Sequence, residues 1–262
     1  MTRTITNART VVFAGETLFV ADELGLLREN ERFCELKYGA TVLATSPDGR
    51  VLYADEMKKI IAFDVESGEE LTRWTSTGEN PMTIAPSPDG QKLVFVGGDE
   101  GGTVGCHVLG QKKGKRAYGL RYGQIRWLDA ERFVAAYRPN SKTLLAVYRF
   151  DGELILDLPP TQETLRAIAV LDGVLFAGTK RGIIRYELTE ELPFTRVWEG
   201  PPVNQIEVVG RRFAVATEGG VYLVDLTGGA EQLAPDHAIA VAASGKRVVH
   251  VREGGTVVEL RP

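Results

Sequence analysis

An internal repeat of about 38 residues constrains this chain more than any other feature. Two copies are plain. Ala44–Asp55 followed by Lys59–Gly68 is one, and Ala85–Val96 followed by Thr103–Val108 is the other. Each reads as a short apolar run, a Pro-Asp-Gly turn, a second run, a Gly- or charge-rich turn, and a third run. The turn chemistry is physical: proline presets φ, aspartate can bond its own backbone, and glycine accepts a positive φ. Fainter copies of the second run are Leu18–Ala21, Phe133–Tyr137, Leu175–Gly178, Phe213–Ala216 and Val248–Val251. Outer fourth strands are legible at Glu70–Trp74, Leu154–Leu156 and Phe194–Trp198. A polar residue marks the end of each second run: Asp22, Asp55, Asp99, Arg138, Lys180, Glu218 and Arg252. Seven such units predict an all-β fold: a seven-bladed β-propeller of four-stranded antiparallel blades, forming one domain over residues 1–262. The last unit lacks an outer strand, and Thr2–Thr6 alternates with β-rich composition. The N-terminal strand is therefore expected to close the last blade, removing a sheet edge.

These residues resemble a family. Ser46-Pro47-Asp48-Gly49 and Ser87-Pro88-Asp89-Gly90, each before an apolar strand, are similar to WD40 and YVTN-type propeller repeats, and Phe63–Gly68 is similar to the YVTN pattern. No Trp-Asp dipeptide ends a third strand, and no Gly-His opens a blade. The resemblance implies a propeller. The families it points to include scaffolds, lactonases, lyases and surface-layer proteins, so the fold does not select a function.

Composition narrows the classes. The net charge of −4 argues against a general nucleic-acid binder. The N-terminus carries no apolar signal segment, and no apolar run is long enough to cross a bilayer. Cys34 and Cys106 fall in different repeats and are expected to stay reduced and apart. Together these fit a cytoplasmic protein with no membrane association.

Strands in a propeller alternate in direction. Turns between second and third strands therefore share a face, here called the top, with the linkers between blades. On that face Asp22, Glu23, Asp55, Glu56, Asp99 and Glu100 are expected on one side, and Arg138, Lys142, Lys180 and Arg181 on the other. Such a split field would orient a charged partner, with Arg121 and Tyr122 as anchors. A solvated rim of inherited turn residues is the plain alternative. The Asp-Glu pairs stand on separate blades, too far apart to share one cation, and a metal site would instead use one residue from each blade at the channel mouth; no metal and no cofactor are expected. The run Gln111–Arg116 is the strongest basic cluster, placed between the third and fourth strands of blade three. It is read as a solvated hairpin tip, or else as a contact for an acidic protein or, weakly, for nucleic acid through Lys112, Lys113, Lys115 and Arg116.

Enzyme signatures such as Gly-x-Ser-x-Gly, a P-loop or His-Glu-x-x-His are missing. The leading reading is a non-catalytic protein-interaction module, a scaffold or subunit of a larger assembly, that binds another protein through its top face. The alternative is a lactonase- or lyase-type propeller enzyme. Its site would lie at the channel mouth, with Asp236, His237 and His250 as the acid–base group.

Overall fold

The computed structural model describes residues 5, 7–75, 80–97, 103–108, 115–117, 123–137, 143–245 and 247–260. These form twenty-seven strands in seven antiparallel sheets, with no helix among the described residues. The blades span 10–35, 43–75, 81–117, 123–157, 167–198, 203–234 and 238–260. In each, the first strand lies innermost and the chain meanders outward. Every innermost strand lies beside that of the next blade, and the seventh returns to the first, so the ring is closed.

Period-two alternation explains the ring. Successive strand side chains point to opposite faces of a blade, so each blade can bury both faces against its neighbours. The core is accordingly divided into seven hydrophobic clusters, one per seam between adjacent blades. In blade one, Phe19 and Ala21 face blade two, while Leu18 and Val20 face blade seven. Cys106 is buried in the seam between blades three and four. Cys34 packs between blades one and two, where burial pushes its thiol up to about 11, and neither cysteine is in a disulfide.

The two Ser-Pro-Asp-Gly segments are built alike. Ser46 Oγ donates to Asp48 Oδ1 at 2.6 Å and accepts from Val51 N at 2.9 Å. Ser87 Oγ meets Asp89 Oδ1 at 2.5 Å and Lys92 N at 2.9 Å. Each motif closes the turn between the first and second strands of its blade, on the face opposite the top. Gly49 and Gly90 stand at φ 70° and 68°, as the turn chemistry predicts.

The innermost strands also present backbone to the channel, and side-chain amides cover part of it. Gln124 Nε2 donates to Arg166 O at 2.8 Å while its Oε1 accepts from Ile168 N at 2.8 Å. Gln205 does the same for Val241, at 3.0 and 3.2 Å. Each glutamine thus pairs with the next blade's inner strand as a peptide group would.

Blade seven contributes three strands. Beyond its third strand, Val257 N donates to Ile5 O at 3.1 Å and Ala8 N donates to Gly255 O at 2.9 Å. Ile5 and Ala8 also pack into the seam between blades seven and one. The N-terminal segment therefore runs antiparallel along the outer side of the last blade; Thr2, Arg3, Thr4 and Thr6 lie outside the described residues. Removing residues 1–8 deletes these bonds and the Ile5 packing. The expected cost is about 2 kcal/mol, read as a lower urea midpoint. An unchanged midpoint would show that the segment does not hold the ring.

The basic run needs a correction. Lys115 and Arg116 are not in a hairpin tip but in the outermost strand of blade three, where they pair with Cys106 and Gly105. The third and fourth strands are joined through residues that include Lys112 and Lys113, which lie outside the described residues. The sequence hid this because a strand at a sheet edge needs no apolar pattern of its own.

Candidate functional site

On the top face, the acidic turns are tied to the linkers beneath them. The Asp55 carboxylate accepts Thr41 N at 2.6 Å, Thr41 Oγ1 at 2.9 Å and Val42 N at 2.7 Å. Burial nevertheless outweighs these bonds and pushes its carboxyl up. Glu56 is buried, accepts Lys37 N at 2.8 Å and pairs with Arg73 at 2.9 Å. Asp22 pairs with Arg32 at 2.8 Å. Desolvation raises the Asp22 carboxyl, but the Arg32 and Leu24 N–H bonds override it and hold the group low. Asp22, Asp55 and Glu56 thus spend their charge inside the fold, and Glu23 is the exposed acid of these two turns. Lys180 and Arg181 are both exposed, with Arg181 paired to Glu199 at 2.9 Å. Asp99, Glu100, Arg121, Tyr122, Arg138 and Lys142 lie outside the described residues.

The carboxylate bonds hold up an apolar cluster that the sequence reading missed. Leu24 is 66% exposed, Tyr38 50% and Met57 45%. Leu24 and Met57 occupy the turns after the second strands of blades one and two, and Tyr38 sits in the linker between those blades. Leu36 N donates to Leu24 O at 3.0 Å, and Lys37 N reaches Glu56 beside Met57, so the three positions are fixed relative to one another. Lys37 lies over the Tyr38 ring at 5.1 Å. Met57 stands at φ 53°, in the left-handed region that favours glycine. The signal was available: Asp22-Glu23-Leu24 and Asp55-Glu56-Met57 repeat an apolar residue at the tip of an otherwise polar turn.

Asp236, His237 and His250 are engaged separately. Asp236 pairs with Arg252 at 2.6 Å. His237 lies between Asn204, at 3.2 Å, and Glu253, at 3.2 Å. His250 is 0% exposed in the seam between blades six and seven, opposite Val241. Neither of its ring nitrogens has a hydrogen-bond partner among the described residues. Burial, and secondarily the Arg252 charge, push its pKa down to about 4, against a smaller opposing pull from Asp236. Among the described residues there is also no cluster of three or more His, Cys, Asp or Glu that could hold a metal ion.

The central channel is a cavity of about 690 Å³. Most of its wall is small or apolar, including Val12, Ala44 and Ala85, but Arg126 and Glu207 also line it.

No protein-family model matches the sequence, and no curated protein matches it. Solved structures do resemble the fold. The β-propeller domain of Cps50 (Swd1) from Myceliophteria thermophila superposes with a TM-score of 0.78 at 12% identity, covering 100% of this chain and 98% of that one. A chain of the mitotic checkpoint complex superposes with a TM-score of 0.79 at 11% identity, covering 99% and 93%. At such identities the likeness establishes the propeller fold, of the kind the repeat motifs resemble.

Proposed function

We propose that this seven-bladed propeller is a non-catalytic protein-interaction module, a subunit or scaffold of a larger assembly that binds a protein partner through its top face. The observation that carries the reading is the Leu24–Tyr38–Met57 cluster. Large exposed apolar side chains grouped on one rigid surface and rimmed by charge are what a protein-binding anchor requires. Glu23, Lys37 and Lys58 surround it, while Lys180 and Arg181 lie across the face, on blade five. Exposed charges of both signs favour orientation of a complementary partner during encounter. Asp22, Asp55 and Glu56 act as supports that keep the loops in place before binding, which lowers the ordering cost. One similar solved structure is that of the mitotic checkpoint complex, which agrees with this role.

The test uses tagged full-length protein to capture and identify a partner, then measures that partner's affinity for variants. Tyr38→Ala and Met57→Glu are each expected to weaken binding by about 2 kcal/mol, some thirtyfold. Glu23→Lys should act mainly on the association rate, and added salt should mimic it. Leu154→Glu, at an exposed position on the outermost strand of blade four, should change nothing. Binding lost by Leu154→Glu but kept by Tyr38→Ala and Met57→Glu would place the interface on the blade edge and reject the top face.

A further inference from the structure

Aligning the blades on the last residue of each second strand makes one inner-strand position comparable around the ring. It is the inner-strand residue that pairs with Phe19, Tyr53, Val94, Val134, Phe176, Ala214 or Val249. Five blades place a small apolar residue there: Val12, Ala44, Ala85, Ala169 and Ala242. Blade four places Arg126 and blade six places Glu207, at the same level and with only blade five between them. Both line the 690 Å³ lumen, a volume typical of small-molecule sites.

We propose that the channel is a binding site for a small zwitterion, whose carboxylate sits on Arg126 and whose ammonium sits on Glu207. The two side chains feel each other's charge but form no ion pair with one another among the described residues. Arg126 Nη1 donates to Ile125 O at 2.8 Å, and among the described residues no carboxylate hydrogen-bonds its guanidinium. Glu207 accepts no hydrogen bond from any described residue. Groups of this kind are ordinarily paired when enclosed by protein.

Nearby polar side chains do not supply the missing partners. Gln124 and Gln205, two residues toward the top on the same strands, are taken up by the neighbouring blades' backbone. Arg166 is taken up by Glu218 at 2.6 Å. Burial pushes the Arg126 guanidinium down and the Glu207 carboxyl up, each opposed by the other's charge. A ligand with both groups would relieve both.

The choice of ligand class follows from the sign pattern. The planar guanidinium fork matches a carboxylate bidentately. Glu207 accepts from an ammonium and repels a second anion. A dicarboxylate would therefore meet repulsion at Glu207, and a diamine at Arg126. The small residues across the lumen, Val12, Ala44 and Ala85, leave room for the body of the ligand.

Isothermal titration of the purified chain with glycine, β-alanine, 4-aminobutanoate and 6-aminohexanoate, against succinate and 1,4-diaminobutane, tests this. At least one zwitterion is expected to bind at millimolar concentration or below, and to bind more tightly than the dicarboxylate or the diamine. Arg126→Met and Glu207→Gln should each weaken that binding by about tenfold or more. Failure of all four zwitterions to bind at about 10 mM would overturn the proposal. So would binding that survives both substitutions, or succinate or diaminobutane binding as tightly as the best zwitterion. If either variant does not fold, the comparison of probes on the unmodified chain decides the matter alone.

Discussion

Replacing Gly49 by valine is expected to destabilise the protein by about 4 kcal/mol, roughly twice the effect of Gly90→Val. The two glycines share a motif, a turn and a left-handed φ, so the intrinsic strain on a β-branched residue is about 2 kcal/mol at either site. Their surroundings differ. A Cβ on Gly49 would stand 2.6 Å from Gly15 N and 3.1 Å from Ala14 C, both backbone atoms of blade one. A Cβ on Gly90 would meet nothing closer than Pro47 Cδ at 3.9 Å. Only at Gly49 must two neighbouring blades shift. Denaturant melts of the two variants check this, and equal losses would show that turn strain, not the approach between blades, governs both.

Acid sensitivity should centre on His250. Its pKa of about 4 lies below the ordinary histidine value of 6.5. Below pH 6.5 the unfolded chain takes up a proton that the folded chain refuses. Stability contributed by neutral His250 is therefore full above pH 6.5 and falls as the pH drops toward 4, by up to about 3 kcal/mol. The groups that set this are Arg252 and Asp236, which oppose each other, and the surrounding apolar seam. His250→Leu removes two buried nitrogens that lack partners among the described residues. It should raise stability at neutral pH by about 1–2 kcal/mol and flatten the fall between pH 6.5 and 4. Melts of both proteins across that range provide the measurement. An unchanged acid slope in His250→Leu would assign the sensitivity to other groups.

The propeller was legible because its signals are local. Ser46–Gly49 and Ser87–Gly90 close their turns with bonds inside a few residues, and alternation within second strands dictates two buried faces. The site was less legible because its determinants come from afar. Asp55 looks like a free turn acid until Thr41 and Val42, from the preceding linker, fold onto it. His250 parts from His237 because of a register shift between Ala238 and Ala240, which the sequence does not announce. Arg126 and Glu207 stand out only when every inner strand is aligned, so that charge appears where alanine recurs. Leu24 and Met57 were passed over because single exposed apolar residues are common; their adjacency depends on the bond from Leu36 to Leu24 and on Glu56.

The bond from Val257 to Ile5 carries a consequence for biosynthesis. A ribosome releases Ile5 and Ala8 first and the strand they lie along last. Each middle blade can dock on its predecessor as it emerges, but the seam between blades seven and one cannot form until nearly the whole sequence is out. Through that interval the Ile5 segment and the open side of blade one have no native partner. Contacts of such sequence separation form slowly, and the waiting surface is where aggregation would begin. Folding of the nascent chain is thus expected to end in a single late step, the closing of the circle, with the earlier blades already in place.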